Sequence, residues 1–118
     1  MAIRNALASL AVKDVRSSAK WYEKLFGRAP DSTPMPEVAE WKFERGGWLQ
    51  VYQSKDRVGQ GSVTLAVNSL DEQVRDLRKL GIDPGRPIDG SKVKVAMIKD
   101  PDGNSIAFAE AADPSMAQ

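Results

Sequence analysis

Residues 10–25 read LAVKDVRSSAKWYEKL, and residues 65–80 read LAVNSLDEQVRDLRKL. At an offset of 55, five of the 16 positions are identical: Leu10/Leu65, Ala11/Ala66, Val12/Val67, Lys24/Lys79 and Leu25/Leu80. The physical pattern agrees better than the identities do. Each copy opens with a short apolar run of β type, passes through a helix-capping residue, and continues with helical periodicity. In the first copy Asp14 is the cap, and Val15, Ala19, Tyr22 and Phe26 share one helix face. Gly27 is a natural stop and Pro30 forbids continuation. In the second copy Ser69 and Glu72 have capping-box spacing, Leu70, Val74 and Leu77 repeat the stripe, and Gly81 ends it. A repeat of this kind predicts two similar structural modules in one chain.

Strand signals follow each helix. After the first come EVAEWKFE (37–44) and WLQVYQ (48–53), joined by Arg45, Gly46 and Gly47 as a glycine hairpin. After the second come a short strand near Ile82 to Ile88, then KVKVAMIK (92–99) and SIAFAE (105–110). Asp89 and Gly90 turn between the first two, and DPDG (100–103) turns between the last two, with proline and glycine where a type I turn prefers them. Each half therefore reads strand–helix–strand–strand–strand. We assign residues 1–53 to a first module, 54–61 to a polar linker, 62–110 to a second module and 111–118 to a frayed tail, all within one domain spanning 1–118.

At 118 residues the chain has one domain's worth of polypeptide. Its 42% hydrophobic and 28% charged residues are too apolar for disorder, and no long apolar run suits a membrane span. The net charge of +1 argues against nucleic acid, which requires a concentrated basic face. There is no cysteine, which excludes disulfides and thiolate chemistry, and no histidine, which removes the commonest metal ligand and neutral-pH acid/base. The apolar stretch from Ala6 to Val12 is short and broken by Ser9; it reads as a strand rather than a leader, and a cytoplasmic location is the expectation.

Three segments resemble the vicinal oxygen chelate superfamily, which contains glyoxalase I, bleomycin-resistance proteins and extradiol dioxygenases. LAVKDVRSSAKWYEKLFG resembles that family's opening strand and helix, VTLAVNSLDEQVRDLRKLG the start of its second module, and IKDPDGNSIAFAE its closing hairpin. The resemblance implies an α+β fold of two βαβββ modules whose curved mixed sheets enclose a cavity, and often a homodimer. It also implies where a metal would be held in metal-dependent relatives: at Leu7, Gln50, Ser62 and Ala107 of this chain. Leu7 and Ala107 cannot ligate, Ser62 is a poor neutral ligand, and one amide from Gln50 does not offset the dehydration of a divalent ion. No cofactor is therefore expected.

Strand alternation predicts what such a cavity offers instead. Leu10, Val12, Leu49, Val51, Val63, Leu65, Val67, Ile106 and Phe108 should face the helices. That leaves Ser9, Trp48, Gln50, Tyr52, Ser62, Thr64 and Ser105 as a neutral lining among small apolar residues. It suits a flat or aromatic organic molecule. Trp48 and Tyr52 either stack on a ligand or fill an interface. Trp21 and Trp41 read as packing residues. Glu110 and Tyr52 are the candidates for acid/base work. The leading expectation is a metal-free protein that sequesters a small organic ligand; the alternatives are a metal-independent lyase or isomerase and a non-catalytic interaction module.

Overall fold

The computed structural model describes residues 2–111, so the predicted tail from 112 onward lies outside the described residues. In chain order the elements are β1 (Leu7–Val12), α1 (Val15–Phe26), β2 (Ser32–Met35), β3 (Val38–Lys42), β4 (Trp48–Gln53), β5 (Ser62–Ala66), α2 (Leu70–Lys79), β6 (Ile88–Asp89), β7 (Val93–Lys99) and β8 (Ser105–Ala111). This is βαβββ twice over, in an α+β fold. The first sheet has the order β1-β4-β3-β2 and the second β5-β8-β7-β6. In each, the strand before the helix lies parallel beside the last strand of its module, and the other pairings are antiparallel. Neither sheet closes on itself.

The chain divides into two compact units. Among the described residues, one holds 2–61 together with Pro101–Asn104; the other holds Ser62–Asp100 and 105–111. In the first, α1 packs on β3 and β4. Leu10, Val12, Ala39, Trp41, Leu49 and Val51 are buried with Val15, Ser18, Tyr22 and Leu25 of the helix. Burying each larger apolar side chain stabilises the unit by about 1.5–3 kcal/mol before conformational entropy is subtracted. In the second unit α2 packs on β7 and β8, burying Leu70, Val74, Leu77, Ala96, Ile98, Ile106 and Phe108. Val63 and Leu65, expected to face the helix, are half-buried.

The helix ends are built as their sequences dictate. The Asp14 carboxylate accepts from the Arg16 N–H at 3.0 Å, and Gly27 closes α1 at φ 74°, a left-handed conformation that a side chain would strain. Ser69 Oγ accepts from the Glu72 N–H at 3.2 Å. At the far end of α2 the Gly81 N–H reaches Arg78 O at 3.0 Å and the Ile82 N–H reaches Leu77 O at 2.9 Å, a Schellman closure.

Three details depart from the sequence reading. β2 supplies the first of the three strands that the βαβββ pattern requires after α1, but no segment was assigned to it, because Pro34 sits inside it; its place at the sheet edge tolerates a residue without an N–H. The strand expected near Ile82 to Ile88 shrinks to Ile88–Asp89. Pro84 and Pro87 cannot donate to a ladder, and the Gly85 N–H turns back onto Asp83 Oδ1 at 2.8 Å. Ala111, assigned to the tail, is the last residue of β8 and pairs with Val93.

Asp31 ties the start of β2 to the end of β3. Its carboxylate pairs with Arg28 and accepts from the Lys42 N–H at 2.7 Å, while Arg28 also donates to Lys42 O. The Arg28 hydrogen bond, and then the Lys42 N–H, hold the Asp31 carboxyl below its ordinary value. The lowered group favours the folded state above the ordinary aspartate range, and that contribution is lost as pH falls through the folded value. Urea midpoints followed from about pH 5 to about pH 2 should therefore fall more steeply for the wild type than for Asp31→Asn. Parallel curves would show that the pair contributes nothing.

Candidate functional site

The face of the first sheet opposite α1 carries the polar positions. Register places Ser9 beside Gln50, and Gln50 beside Glu40. A chain of hydrogen bonds crosses these three strands: Ser9 Oγ donates to Gln50 Oε1 at 3.2 Å, and Gln50 Nε2 donates to Glu40 Oε2 at 2.9 Å. Each end of the Gln50 amide thus has one partner, and the pair of bonds sets its orientation. Further along β4, Lys42 Nζ stands 5.9 Å from the centroid of the Trp48 ring, on the same face.

At the other end of β4 a cavity of about 330 Å³, open to solvent, is lined by Ser9, Ala11, Tyr52, Arg57, Gln60 and Gly61. Ser9 and Tyr52 were expected there. Gln50 adjoins it through its bond to Ser9, and Trp48 is not among the lining residues. Ser62, Thr64 and Ser105 lie on the second sheet, where Ser62 and Ser105 are cross-strand partners and Thr64 faces Ala107.

Arg57, Gln60 and Gly61 come from the stretch read as a linker, and they correct the expectation of a neutral lining. That stretch is fastened on both sides. The Ser54 N–H donates to Val12 O at 3.1 Å, the Gly59 N–H to Ala11 O at 3.4 Å and the Gln60 N–H to Arg57 O at 3.3 Å. Asn104, fully buried, accepts from the Gly61 N–H at 2.9 Å and donates to Ala11 O at 2.8 Å. Asp102 Oδ2 accepts from the Lys13 N–H at 3.2 Å and from Ser18 Oγ at 3.3 Å. A side chain at Gly61 would place its Cβ 2.8 Å from Leu10 Cδ2, so glycine is what lets the segment approach β1 this closely. The only advance signal was two glycines around Gln60, which announce flexibility and close approach equally.

Glu110 has a defined partner. Its Oε1 accepts from the Leu70 N–H at 2.7 Å, so the carboxylate satisfies the first turn of α2. That engagement gives Glu110 a helix-anchoring role which strand periodicity could not reveal.

The positions implied for a metal do not fit one. Leu7 and Ala107 offer hydrocarbon, Ser62 a neutral hydroxyl, and the Gln50 oxygen already accepts from Ser9. Among the described residues no three histidine, cysteine or carboxylate side chains gather in a metal-binding group.

The model of the Glyoxalase/Bleomycin resistance protein/Dioxygenase superfamily matches residues 5–108. The chain belongs to this superfamily. A solved glyoxalase/bleomycin resistance protein from Catenulispora acidiphila is 29% identical over 92% of this chain and 99% of its own, with a TM-score of 0.82. The bleomycin resistance determinant encoded on transposon Tn5 is 20% identical over 94% and 100%, with a TM-score of 0.76. Lactoylglutathione lyase from Agrobacterium tumefaciens is 19% identical over 93% and 94%, with a TM-score of 0.75. These last two likenesses are of fold. A search of curated proteins found no match. No helix among the described residues of this superfamily member is long and apolar enough to cross a membrane.

Proposed function

We propose that this superfamily member is a metal-free binding protein that sequesters a small aromatic organic molecule without transforming it. The observation that carries this reading is the donor set: hydrocarbon at Leu7 and Ala107, a neutral hydroxyl at Ser62, and a single neutral amide at Gln50, hydrogen-bonded to Ser9 and Glu40. A lined cavity of about 330 Å³ lies beside that amide, near the lower end of the size range of ligand pockets. Likeness in fold to a resistance determinant supports a binding role by analogy. A metal-independent lyase would need an acid/base group: Glu110 is engaged by the Leu70 N–H, which leaves Tyr52 in the cavity wall as the residue for that alternative. We further propose a cytoplasmic homodimer, for which light scattering should give twice the 12.9 kDa chain mass.

The test is thermal unfolding with zinc, nickel, iron or manganese beside aromatic compounds. The metals should leave the melting temperature unchanged. A ligand at a hundred times its Kd should stabilise by about 2.7 kcal/mol, a shift of several degrees. One equivalent of tightly held transition ion, retained after purification, would overturn the reading.

A further inference from the structure

The cavity wall carries one formal charge. Of Ser9, Ala11, Tyr52, Arg57, Gln60 and Gly61, only Arg57 is a formally charged residue type, and no carboxylate shares the wall. The acid on the same sheet face, Glu40, accepts from Gln50 instead. Arg28–Asp31 is an ion pair that does not involve Arg57, which is exposed. Its backbone is also held in place. The turn around Arg57 is bonded to β1 through Gly59, and the Asn104 side chain fastens Gly61. At Gly59 a Cβ would lie 2.3 Å from Asp102 O, so this turn sits directly against the Pro101–Asn104 segment. A guanidinium carried on a fastened turn, beside a phenol and two neutral hydrogen-bonding side chains, is a receptor for a planar anion.

Resting on the binding reading above, we propose that the occupant of this cavity is an aromatic carboxylate, its anionic end held by Arg57 and its ring set against Tyr52. Arg57 is then the specificity-determining residue. It favours the anion over a neutral compound of equal shape and disfavours cationic compounds. Because the cavity opens to solvent, the charge preference is screened and declines as salt is added.

Benzoate and benzamide separate charge from shape, since they share ring and size. Titration calorimetry at low salt should show the wild type binding benzoate about tenfold more tightly than benzamide, as expected for one charge-assisted contact. Arg57→Gln should abolish that preference by weakening benzoate about tenfold more than benzamide. Arg57→Lys should retain part of it, and Lys55→Gln, outside the wall, should retain all of it. Arg57 is exposed, so the variants should unfold at the wild-type urea midpoint. Benzamide binding as tightly as benzoate, or an unchanged preference in Arg57→Gln, overturns this inference and leaves the binding reading standing. Neither compound binding at millimolar concentration overturns both.

Discussion

Trp41→Ala is expected to destabilise the protein by about 3–5 kcal/mol, seen as a lower urea midpoint at an unchanged slope. Trp41 is fully buried on β3. Its ring centroid lies 5.5 Å from Phe26 and 6.0 Å from Tyr22, and Phe26 continues the cluster to Phe43 at 5.4 Å. Its Nε1 donates to Arg28 O at 3.1 Å. Alanine removes the indole, opens a cavity that the surrounding rings can only partly fill, and strips that carbonyl of its donor. A small domain has about 5–15 kcal/mol in total, so this single change consumes a large share. Trp41→Phe separates the contributions: it keeps most of the packing and should cost much less. The loss should also reach the ligand face. Trp41 opposes Leu49 on the core side while its neighbour Glu40 opposes Gln50 on the other, so the tryptophan anchors the register that holds the Ser9–Gln50–Glu40 chain. A cost below about 1 kcal/mol would show that the aromatic cluster is not the keystone of the first unit.

What the sequence disclosed and what it withheld divide along a physical line. Helices were legible because their determinants are local: Asp14 and Ser69 cap within three residues, and the stripes of α1 and α2 repeat every turn. The inward sets Leu10/Val12, Leu49/Val51 and Ile106/Phe108 were legible because strand alternation has only two phases, and the buried phase is visibly apolar. β2 was hidden because Pro30, Pro34 and Pro36 read as loop, and what keeps it a strand is β3 beside it. The second module's second strand was overestimated because Ile82 and Ile88 bracket two prolines whose missing donors matter only within a ladder. The candidate site was half legible. Ser9 and Tyr52 followed from alternation. Arg57 and Gln60 did not, because the bonds that turn residues 54–61 back onto β1 join positions far apart in sequence. The same holds for Glu110, 40 positions from the helix it serves. Periodicity reports which side of an element is wet. It does not report which distant backbone group an isolated polar side chain will meet.

Asn104 is the strongest instance, and Asn104→Ala is expected to cost about 2–5 kcal/mol. The side chain is wholly buried, and it joins two segments at once: Gly61, 43 positions away, through its oxygen, and Ala11, 93 positions away, through its nitrogen. Alanine takes the acceptor from the half-buried Gly61 N–H and leaves the buried Ala11 C=O with only the longer Gly59 N–H, and each such loss costs up to about 3 kcal/mol. Asn104→Asp discriminates between simple loss of volume and loss of the hydrogen-bond pair. The aspartate can still accept from Gly61, but as an anion it faces the Ala11 carbonyl with no donor. Its destabilisation at neutral pH should therefore equal or exceed that of alanine and ease in acid, where a protonated carboxyl donates again. The consequence for binding follows from position: Ala11 and Gly61 are both cavity lining, and Arg57 hangs on the turn between them and Asp102. Amide hydrogen exchange at Gly61 should accelerate in Asn104→Ala even under conditions where the protein stays folded, and benzoate affinity should fall with it. Unchanged exchange at Gly61, with stability within about 0.5 kcal/mol of wild type, would mean that the turn is held by the Gly59 and Ser54 bonds alone and that Asn104 is dispensable to the cavity.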